Sequence, residues 1–444
     1  MSGIARLSLE QAPPIDVPFR LFVTAPLFGM LTAALLLWYG PAALDQRWSP
    51  VTLAATHLLT LGYLAMVMCG AMLQMLPVIG GSPVPRVQWI AWGVHPLLTA
   101  GVLMLAATFL TGNSTLFLPT ATVLGIAFGI FIIAVVAALW RVPIGNVTTK
   151  GMGFAVVALA ITVGFGISLL LGLGGYLQLR DFQALANTHL TWGLAGWVGL
   201  LVSGVAYQVV PMFQLTPEYP QLIRRRFSAG LFLLLVMWSL VYLMAANSRW
   251  AMVFTTGLFL MLGLYAWVTL AVQRQRRRKL SDPTLRYWQI GMLLVLLACV
   301  LWGVALFTQW ELKGGELMMG ILAIVGIGIS LINGMLLKIF AFLSWFHLQH
   351  RQMKLMRIEV SLPSMKKFVE DREAWAQQML HFAALGLLLA ACVESALTRT
   401  AGLVFLGSQV MLLYILGRAI RLYRSIDRKF SEPPVIDAST PRGG

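Results

Sequence analysis

The chain has 444 residues, of which 59% are hydrophobic and 11% are charged, and its mean hydropathy is +0.82. These values exclude an ordinary soluble domain and indicate an integral membrane protein. The formal net charge of +16 would suggest nucleic-acid binding in a soluble protein, but membrane proteins carry excess Lys and Arg in cytoplasmic loops, so no nucleic-acid partner is predicted.

Apolar runs long enough to cross a bilayer define the predicted elements. A spanning helix needs about 20 mostly apolar residues, and in chain order the candidate runs are 18–40, 52–79, 88–110, 114–140, 151–178, 188–213, 228–246, 249–273, 287–308, 315–346, 374–396 and 400–420. They are too long and too uniformly apolar for the alternating strands of a membrane barrel. We therefore predict an all-α polytopic membrane protein of about 12 transmembrane helices, with residues 1–444 forming one integral domain in the lipid bilayer.

The positive charges are distributed unevenly between the two sides of the predicted membrane. Most lie on the side of the N-terminus, and the opposite side has only five, Arg47, Arg180, Arg249, Lys313 and Arg399. This asymmetry predicts that both termini lie in the cytoplasm, and we expect a multi-pass protein of a bacterial-type inner (plasma) membrane. The loop 347–373 is predicted to anchor on the cytoplasmic membrane surface, with partner binding as the alternative. Residues 425–444 are predicted to be a disordered cytoplasmic tail.

One motif recurs in the second, sixth and tenth predicted helices. Residues 56–78 read THLLTLGYLAMVMCGAMLQMLPV and residues 188–213 read THLTWGLAGWVGLLVSGVAYQVVPMF, so both begin Thr-His-Leu and end Gly-x-x-x-Gln-x-x-Pro. A weaker third copy is GMLLKIFAF at 334–342. The motif glycines, Gly70, Gly204 and Gly334, lie 134 and then 130 residues apart. The chain is therefore predicted to contain three pseudo-repeats of four helices, at about 1–150, 151–286 and 287–424.

The three motif helices run in the same direction, so the repeat predicts two polar layers. His57 and His189 lie near the outer side, and Gln74, Gln208 and Lys338 form a layer toward the cytoplasmic side. At 1.5 Å per residue the two layers are about 25 Å apart. A charged side chain within a spanning helix must face the bundle interior or a wet cavity, which is the environment expected for Lys338.

Histidines within spanning helices raise a functional hypothesis by default. His57 and His189 are candidates for a metal or heme ligand or a proton relay, and the structural alternative is a histidine hydrogen-bonded to a neighbouring helix. The remaining histidines are weaker candidates because they lie near helix ends or have no counterpart in the repeat: His95, His347, His350 and His381.

Soft sulfur ligands cluster in the second helix. Met68, Met72 and Met75 share one helical face beside Cys69, a set that suits Cu(I), with ordinary core packing as the alternative. The sequence has no Walker A loop, no HExxH zinc motif, no nucleophile elbow and no clustered carboxylates within the helices. Hydrolase and nucleotide-driven functions are therefore not predicted.

Twelve helices in three four-helix repeats, with His57 and His189 near the outer ends of helices 2 and 6, resemble the catalytic subunit of heme–copper oxidases and nitric oxide reductases. The NnrS family of heme- and copper-containing membrane proteins, linked to nitric oxide stress, is similar in length and helix count. In the oxidase family a helix 2 histidine binds the low-spin heme and a helix 6 histidine binds the active-site metal. The resemblance implies these roles for His57 and His189.

Other histidines of the oxidase family are missing here. The family has a histidine pair on helix 7 and two histidines on helix 10, whereas this chain has none in helix 7 and none between residues 315 and 346. A complete oxygen-reducing binuclear centre is therefore not expected. The resemblance implies instead a heme b held by His57 and His189, with copper as a further candidate cofactor.

These observations predict a heme-binding membrane protein of respiratory electron transfer or of the nitric oxide response. If it is an enzyme, it is an oxidoreductase, and its partners would be a respiratory electron donor or oxidase or reductase subunits. Two alternatives stay open. One is a transporter or channel whose polar path is lined by Gln74, Gln208 and Lys338, and the other is a ligand-free assembly protein.

Overall fold

The computed structural model describes residues 12–142, 145–277, 282–308 and 314–432. Of these residues, 84% are helical, and they contain twelve helices that are long and apolar enough to cross a membrane. We number them in chain order: α1 (Asp16–Leu44), α2 (Pro50–Gly80), α3 (Val87–Thr111), α4 (Ser114–Leu139), α5 (Val147–Leu173), α6 (Phe182–Gln214), α7 (Gln221–Met244), α8 (Arg249–Arg274), α9 (Pro283–Thr308), α10 (Gly315–Lys354), α11 (Asp371–Ala391) and α12 (Ser395–Lys429).

Each predicted apolar run overlaps one of these helices, and the prediction of an all-α polytopic membrane protein is confirmed. The largest extensions at a C-terminal end are in α10, which continues to Lys354, and in α12, which continues to Lys429. The predicted tail 425–444 therefore begins inside a helix, and its residues 433–444 lie outside the described residues. An even number of crossings puts both ends of the described chain on one side, which we call the N-terminal side.

Local sequence determines where several of the helices begin. The side chains of Ser49, Asn146, Asp181 and Ser248 accept hydrogen bonds from backbone N–H groups in the first turns of α2, α5, α6 and α8. These N–H groups have no partner within the helix, so a polar side chain at the cap satisfies groups that lipid could not. The caps fix the starts of both histidine-bearing helices, α2 and α6.

The three motif helices share a widened stretch of backbone. π-Helical turns occupy Leu58–Ala65 in α2, Trp192–Val198 in α6 and Leu322–Ile329 in α10. Their first residues lie 134 and then 130 residues apart, which are also the separations of the motif glycines. π-Helical turns are rare and frequently mark functional sites. The segment in α10 contacts the segments in α2 and α6, and we call the three segments together the π waist.

The motif glycines allow each motif helix to approach the first helix of its own repeat. A Cβ on Gly204 would lie 3.0 Å from the Cα of Gly151 in α5. A Cβ on Gly334 would lie 2.7 Å from the Cβ of Tyr287 in α9, and one on Gly70 would lie 2.9 Å from a ring carbon of a phenylalanine in α1. Small residues drive helix association in lipid because they let backbones pack closely. The same contact thus recurs in all three predicted repeats.

Candidate functional site

His57 and His189 face each other at the end of the motif helices away from the N-terminal side. Their ring centroids are 6.3 Å apart and their ring planes differ by 19°. His57 directly precedes the π segment of α2, and His189 lies three residues before that of α6. The two histidines that occupy the same position of the sequence repeat are therefore adjacent in space.

Backbone carbonyls fix the protonation pattern of both rings. Nδ1 of His57 lies 2.8 Å from the carbonyl oxygen of Leu53, and Nδ1 of His189 lies 2.9 Å from that of Thr162. A carbonyl can only accept a hydrogen bond, so Nδ1 carries the hydrogen in each neutral ring and Nε2 keeps a lone pair. No hydrogen bond to either Nε2 occurs within the described residues. A metal-ligating histidine adopts this same arrangement, with its other nitrogen donating to a carbonyl.

The two rings are seated against neighbouring helices. A Cβ on Gly166 of α5 would lie only 2.9 Å from Cε1 of His189, whereas one on Gly164 would meet nothing within 4 Å. The ring of Phe109 in α3 lies 5.3 Å from that of His57, centroid to centroid. A bare backbone at Gly166 therefore makes room for the His189 ring.

An arginine ties the three motif helices together next to the histidine pair. Nη2 of Arg47, just before α2, donates to Oδ1 of Asn187 in α6 at 2.7 Å, and Nη1 lies 3.3 Å from Oε1 of Glu316 in α10. The guanidinium also stacks over the ring of Trp48, with its carbon 4.3 Å from the ring centroid. Since Asn187 is two residues from His189, this contact holds the histidine end of the bundle together.

The other predicted polar layer is only partly assembled. Gln74 and Gln208 line one cavity of about 50 Å³ between α2, α6 and α10, and Ala12 also lines it. The rest of the lining is apolar: Met75, Val78, Ile79, Val209, Met212, Phe213, Ile339, Phe342, Leu343 and Phe346. Lys338 does not line this cavity, because its Nζ lies 4.0 Å from a carboxylate oxygen of Asp282, next to the start of α9.

The structure contains a buried polar network that the sequence patterns did not indicate. The hydroxyl of Tyr63 donates to Oδ1 of Asn333 at 2.6 Å, and the hydroxyl of Tyr287 donates to Oε1 of Gln377 at 2.6 Å. Gln377 in turn donates to the hydroxyl of Ser408 at 3.3 Å. All five side chains have 0% exposure, and they come from α2, α10, α9, α11 and α12. The network therefore connects the first predicted repeat to the third.

His381 lies beside this network, although its sequence position ranked it among the weaker histidines. Its Nε2 lies 2.8 Å from the hydroxyl of Ser330, and its ring centroid is 5.5 Å from that of Tyr287. The ring has 0% exposure, and its Nδ1 has no hydrogen-bond partner among the described residues. No sequence motif marks this site, because its residues come from separate helices.

The sulfur side chains of α2 occupy the protein core. Met68, Met72, Met75 and Cys69 are all buried, and Met75 contributes to the cavity beside Gln74. Within the described ranges, no group of three or more His, Cys, Asp or Glu residues is placed to hold a metal ion.

The chain was also compared with known proteins. No known protein family matches this sequence, and no curated protein is significantly similar to it. The histidine pair, its fixed tautomers and the helices that seat it are therefore the features from which a function must be inferred.

Proposed function

We propose that this chain is a heme-binding membrane protein in which His57 and His189 would together hold the iron of one heme b. The observation that carries the proposal is the pairing of two neutral imidazoles, each with Nδ1 donating to a backbone carbonyl and Nε2 left with its lone pair. Nε2 is then the one nitrogen of each ring that can bind a metal.

The separation of the two rings supports sharing of a single iron. Two metal–nitrogen bonds of about 2 Å and two imidazole radii of about 1.1 Å put the ring centres of opposed ligands roughly 6 Å apart. The centroids of His57 and His189 lie 6.3 Å apart. The same spacing also falls within the roughly 4.5–7 Å of packed aromatic rings, so the hydrogen bonds of the two Nδ1 atoms carry the proposal and the spacing is compatible with it.

The number of available protein ligands also favours heme. The four ring nitrogens of a heme already bind its iron, so two histidines would complete the set of ligands of that iron. When bound, such a heme supplies reversible transfer of single electrons at an iron without an open position. The protein's part is to hold both rings: α5 positions His189 through Thr162 and Gly166, and α2 positions His57 through Leu53.

The role that follows is electron transfer in respiration or in the nitric oxide response. We place the protein in a bacterial-type inner membrane, with both termini in the cytoplasm and the histidine pair toward the outer face, because Lys and Arg favour the cytoplasmic side. Its partners in this role are a respiratory electron donor or oxidase or reductase subunits, and copper is a further candidate cofactor.

The alternatives receive less support from the geometry. A transport path through the repeat would need a continuous polar lining, but the cavity at Gln74 and Gln208 is mostly apolar and holds about 50 Å³. A ligand-free assembly protein would leave Nε2 of both histidines without a role, since neither atom has a hydrogen-bond partner in the described part of the chain.

An absorption spectrum of the purified protein tests the proposal directly. We expect a Soret band in the oxidised protein and sharp α and β bands after dithionite reduction, as two-histidine ligation gives low-spin iron. His57→Ala and His189→Ala should each abolish the low-spin spectrum. A protein that stays colourless after reconstitution with hemin, or a low-spin spectrum that survives both substitutions, would refute the assignment.

A matched pair of glycine variants tests the geometry without removing a ligand. In Gly166→Ala the new methyl group would lie 2.9 Å from Cε1 of His189, whereas in Gly164→Ala it would meet nothing within 4 Å. Both variants carry the same change on the same helix. We expect Gly166→Ala to lower hemin affinity or to shift the low-spin bands, and Gly164→Ala to match the native protein. Identical spectra and affinities for the two variants would show that His189 does not bind the heme in this position.

A further inference from the structure

The cavity beside Gln74 follows the threefold repeat of the sequence. Most of its lining residues stand four, five, eight or nine residues after the motif glycines Gly70, Gly204 and Gly334. These residues are Gln74, Met75, Val78 and Ile79 in α2, Gln208, Val209, Met212 and Phe213 in α6, and Ile339, Phe342 and Leu343 in α10. Equivalent faces of the three motif helices therefore enclose the cavity, which lies on the axis of the repeat.

One position of α10 departs from this pattern and keeps charge out of the cavity. Lys338 stands where Gln74 and Gln208 stand in the other two helices, but its Nζ lies 4.0 Å from a carboxylate oxygen of Asp282 and the residue does not line the cavity. None of the described residues that line the cavity is charged. A charged ligand would have no counter-charge there, and burial of an unpaired charge is costly. The cavity therefore suits a neutral ligand.

A buried polar atom at the cavity has no hydrogen-bond partner. Gln74 has 5% exposure, and its Oε1 accepts no hydrogen bond from any described residue. Buried polar atoms are nearly always hydrogen-bonded, so such an exception needs an explanation. A carbonyl oxygen can only accept a hydrogen bond. A ligand that carries a hydrogen-bond donor would satisfy this atom.

The size and the walls of the cavity favour an aliphatic chain over a cluster of waters. The cavity holds about 50 Å³, and one water-sized group needs roughly 10–15 Å³, so there is room for about four such groups. An ordered water needs two to four polar partners. Apart from the two glutamines the walls are apolar and cannot supply them. A hydroxyl followed by a few methylene groups matches both the volume and the walls.

The cavity opens toward the N-terminal side of the bundle. Met75 and Val209, five residues after their motif glycines, have 9% and 1% exposure. Val78, Met212 and Phe346 lie further along their helices toward the N-terminal side and are partly exposed. We call these three residues the mouth. A ligand chain longer than the cavity would extend through the mouth.

We propose that this cavity binds a neutral aliphatic alcohol, with the ligand hydroxyl donating to Oε1 of Gln74 and the chain directed toward the mouth. The hydroxyl supplies the donor that the buried amide lacks, and the apolar walls contact the methylene groups. The uncharged lining selects against carboxylates and amines. The π segments lie between this cavity and the histidine pair along the motif helices, so the site does not depend on heme binding.

Photolabelling of the full-length protein in nanodiscs, without hemin, tests the site. One probe is a straight-chain alcohol with a diazirine near the hydroxyl, and the other is its methyl ether, which cannot donate a hydrogen bond. We expect the alcohol to label cavity residues saturably, with 1-butanol as a competitor. The ether should bind about fivefold more weakly because it forgoes one hydrogen bond. Equal affinities of the two probes, or labelling of the cavity that does not saturate, would overturn the proposal.

A pair of glutamine variants tests the role of Gln74. Gln74→Met removes the acceptor and keeps a side chain of similar size, so we expect about fivefold weaker binding of the alcohol and unchanged binding of the ether. Gln378→Met is a matched control because Gln378 is also buried, with 4% exposure, and does not line the cavity. This control should keep the native preference for the alcohol. Persistence of the preference in Gln74→Met, or its loss in both variants, refutes the assignment.

A pair of space-filling variants tests the location, and it decides the matter even where Gln74→Met does not fold. Val78→Phe places a ring at the mouth and should abolish saturable labelling by both probes. Val157→Phe adds the same ring at a position of α5 that is 46% exposed, and should change neither. Far-UV circular dichroism verifies that both variants are helical. Equal labelling of the two variants would show that the probes bind outside the cavity.

Discussion

Replacing a single glycine in the contact between α5 and α6 should destabilise the protein, whereas the same replacement two residues away should not. A Cβ on Gly151 would lie 2.8 Å from the Cα of Gly204, but one on Gly153 would meet nothing within 4 Å. Carbon atoms pack best at about 3.5–4.0 Å, so Gly151→Ala requires the two helices to separate by roughly 0.7–1.2 Å. Backbone atoms cannot rotate away as a side chain could.

The magnitude follows from two opposing terms. Overpacking of a well-packed interior costs about 1–3 kcal/mol, and replacing a helical glycine with alanine gains about 1 kcal/mol. We therefore expect Gly151→Ala to lower the free energy of unfolding by up to about 2 kcal/mol, and Gly153→Ala to raise it by up to about 1 kcal/mol. Both variants gain the higher helix propensity of alanine. The difference between their free energies of unfolding therefore measures the effect of the contact between α5 and α6.

Unfolding by SDS titration, followed by far-UV circular dichroism, measures this difference. The same titration of alanine variants at the other two motif glycines should show different degrees of destabilisation. Gly334→Ala meets the Cβ of Tyr287, which is attached to the backbone, and should be strongly destabilising. Gly70→Ala meets a ring carbon of Phe22 at 2.9 Å, which can rotate away, and the Cβ of Leu21 only at 3.1 Å, so it should be milder. If Gly151→Ala is as stable as Gly153→Ala, the close approach of α5 and α6 is not a determinant of the fold.

Two further substitutions address the polar groups within the bundle. Tyr63→Phe should lower the free energy of unfolding by about 1–2 kcal/mol because it leaves Oδ1 of the buried Asn333 without its donor, and Tyr63→Phe with Asn333→Leu should recover much of that loss in the same titration. Lys338→Met should change stability by less than about 1 kcal/mol, because the pair with Asp282 is long and partly exposed; a larger loss would show that Lys338 has a buried role.

Hydropathy located the twelve helices because the lipid environment itself requires long apolar runs. It could not locate the true ends of α10 and α12, since both helices continue beyond the lipid with charged residues such as Arg351 and Asp427 paired between them. A hydropathy profile detects the apolar part of a helix. It does not detect a polar part that is stabilised by contacts with another helix. The extended ends of α10 and α12 therefore lie in segments that the sequence indicated to be a surface anchor and a disordered tail.

The candidate site was visible in part because it lies on a repeat. His57 and His189 stood out through the recurrence of Thr-His-Leu, but only the structure brings their rings to 6.3 Å. The network of Tyr63, Asn333 and Tyr287 gave no such signal, because each residue stands alone in its helix and its partners come from distant segments. The position of Lys338 in the repeat predicted that it lies in the layer of Gln74 and Gln208. Its pairing with Asp282 could not be predicted, because Asp282 lies beside a different helix.

The π waist separates the two ends of the motif helices and thereby distinguishes the candidate functions. A Cβ on Gly328 of α10 would lie 3.1 Å from the side chain of Leu64 in α2, so these π segments are in tight contact. Leu64 and Val325 have 1% and 3% exposure, and the glutamine cavity and the histidine pair lie on opposite sides of this contact. A solute moving along the three motif helices would have to separate the π segments of α2 and α10 at this contact. The repeated π turns thus suit a rigid scaffold that fixes two rings at one end.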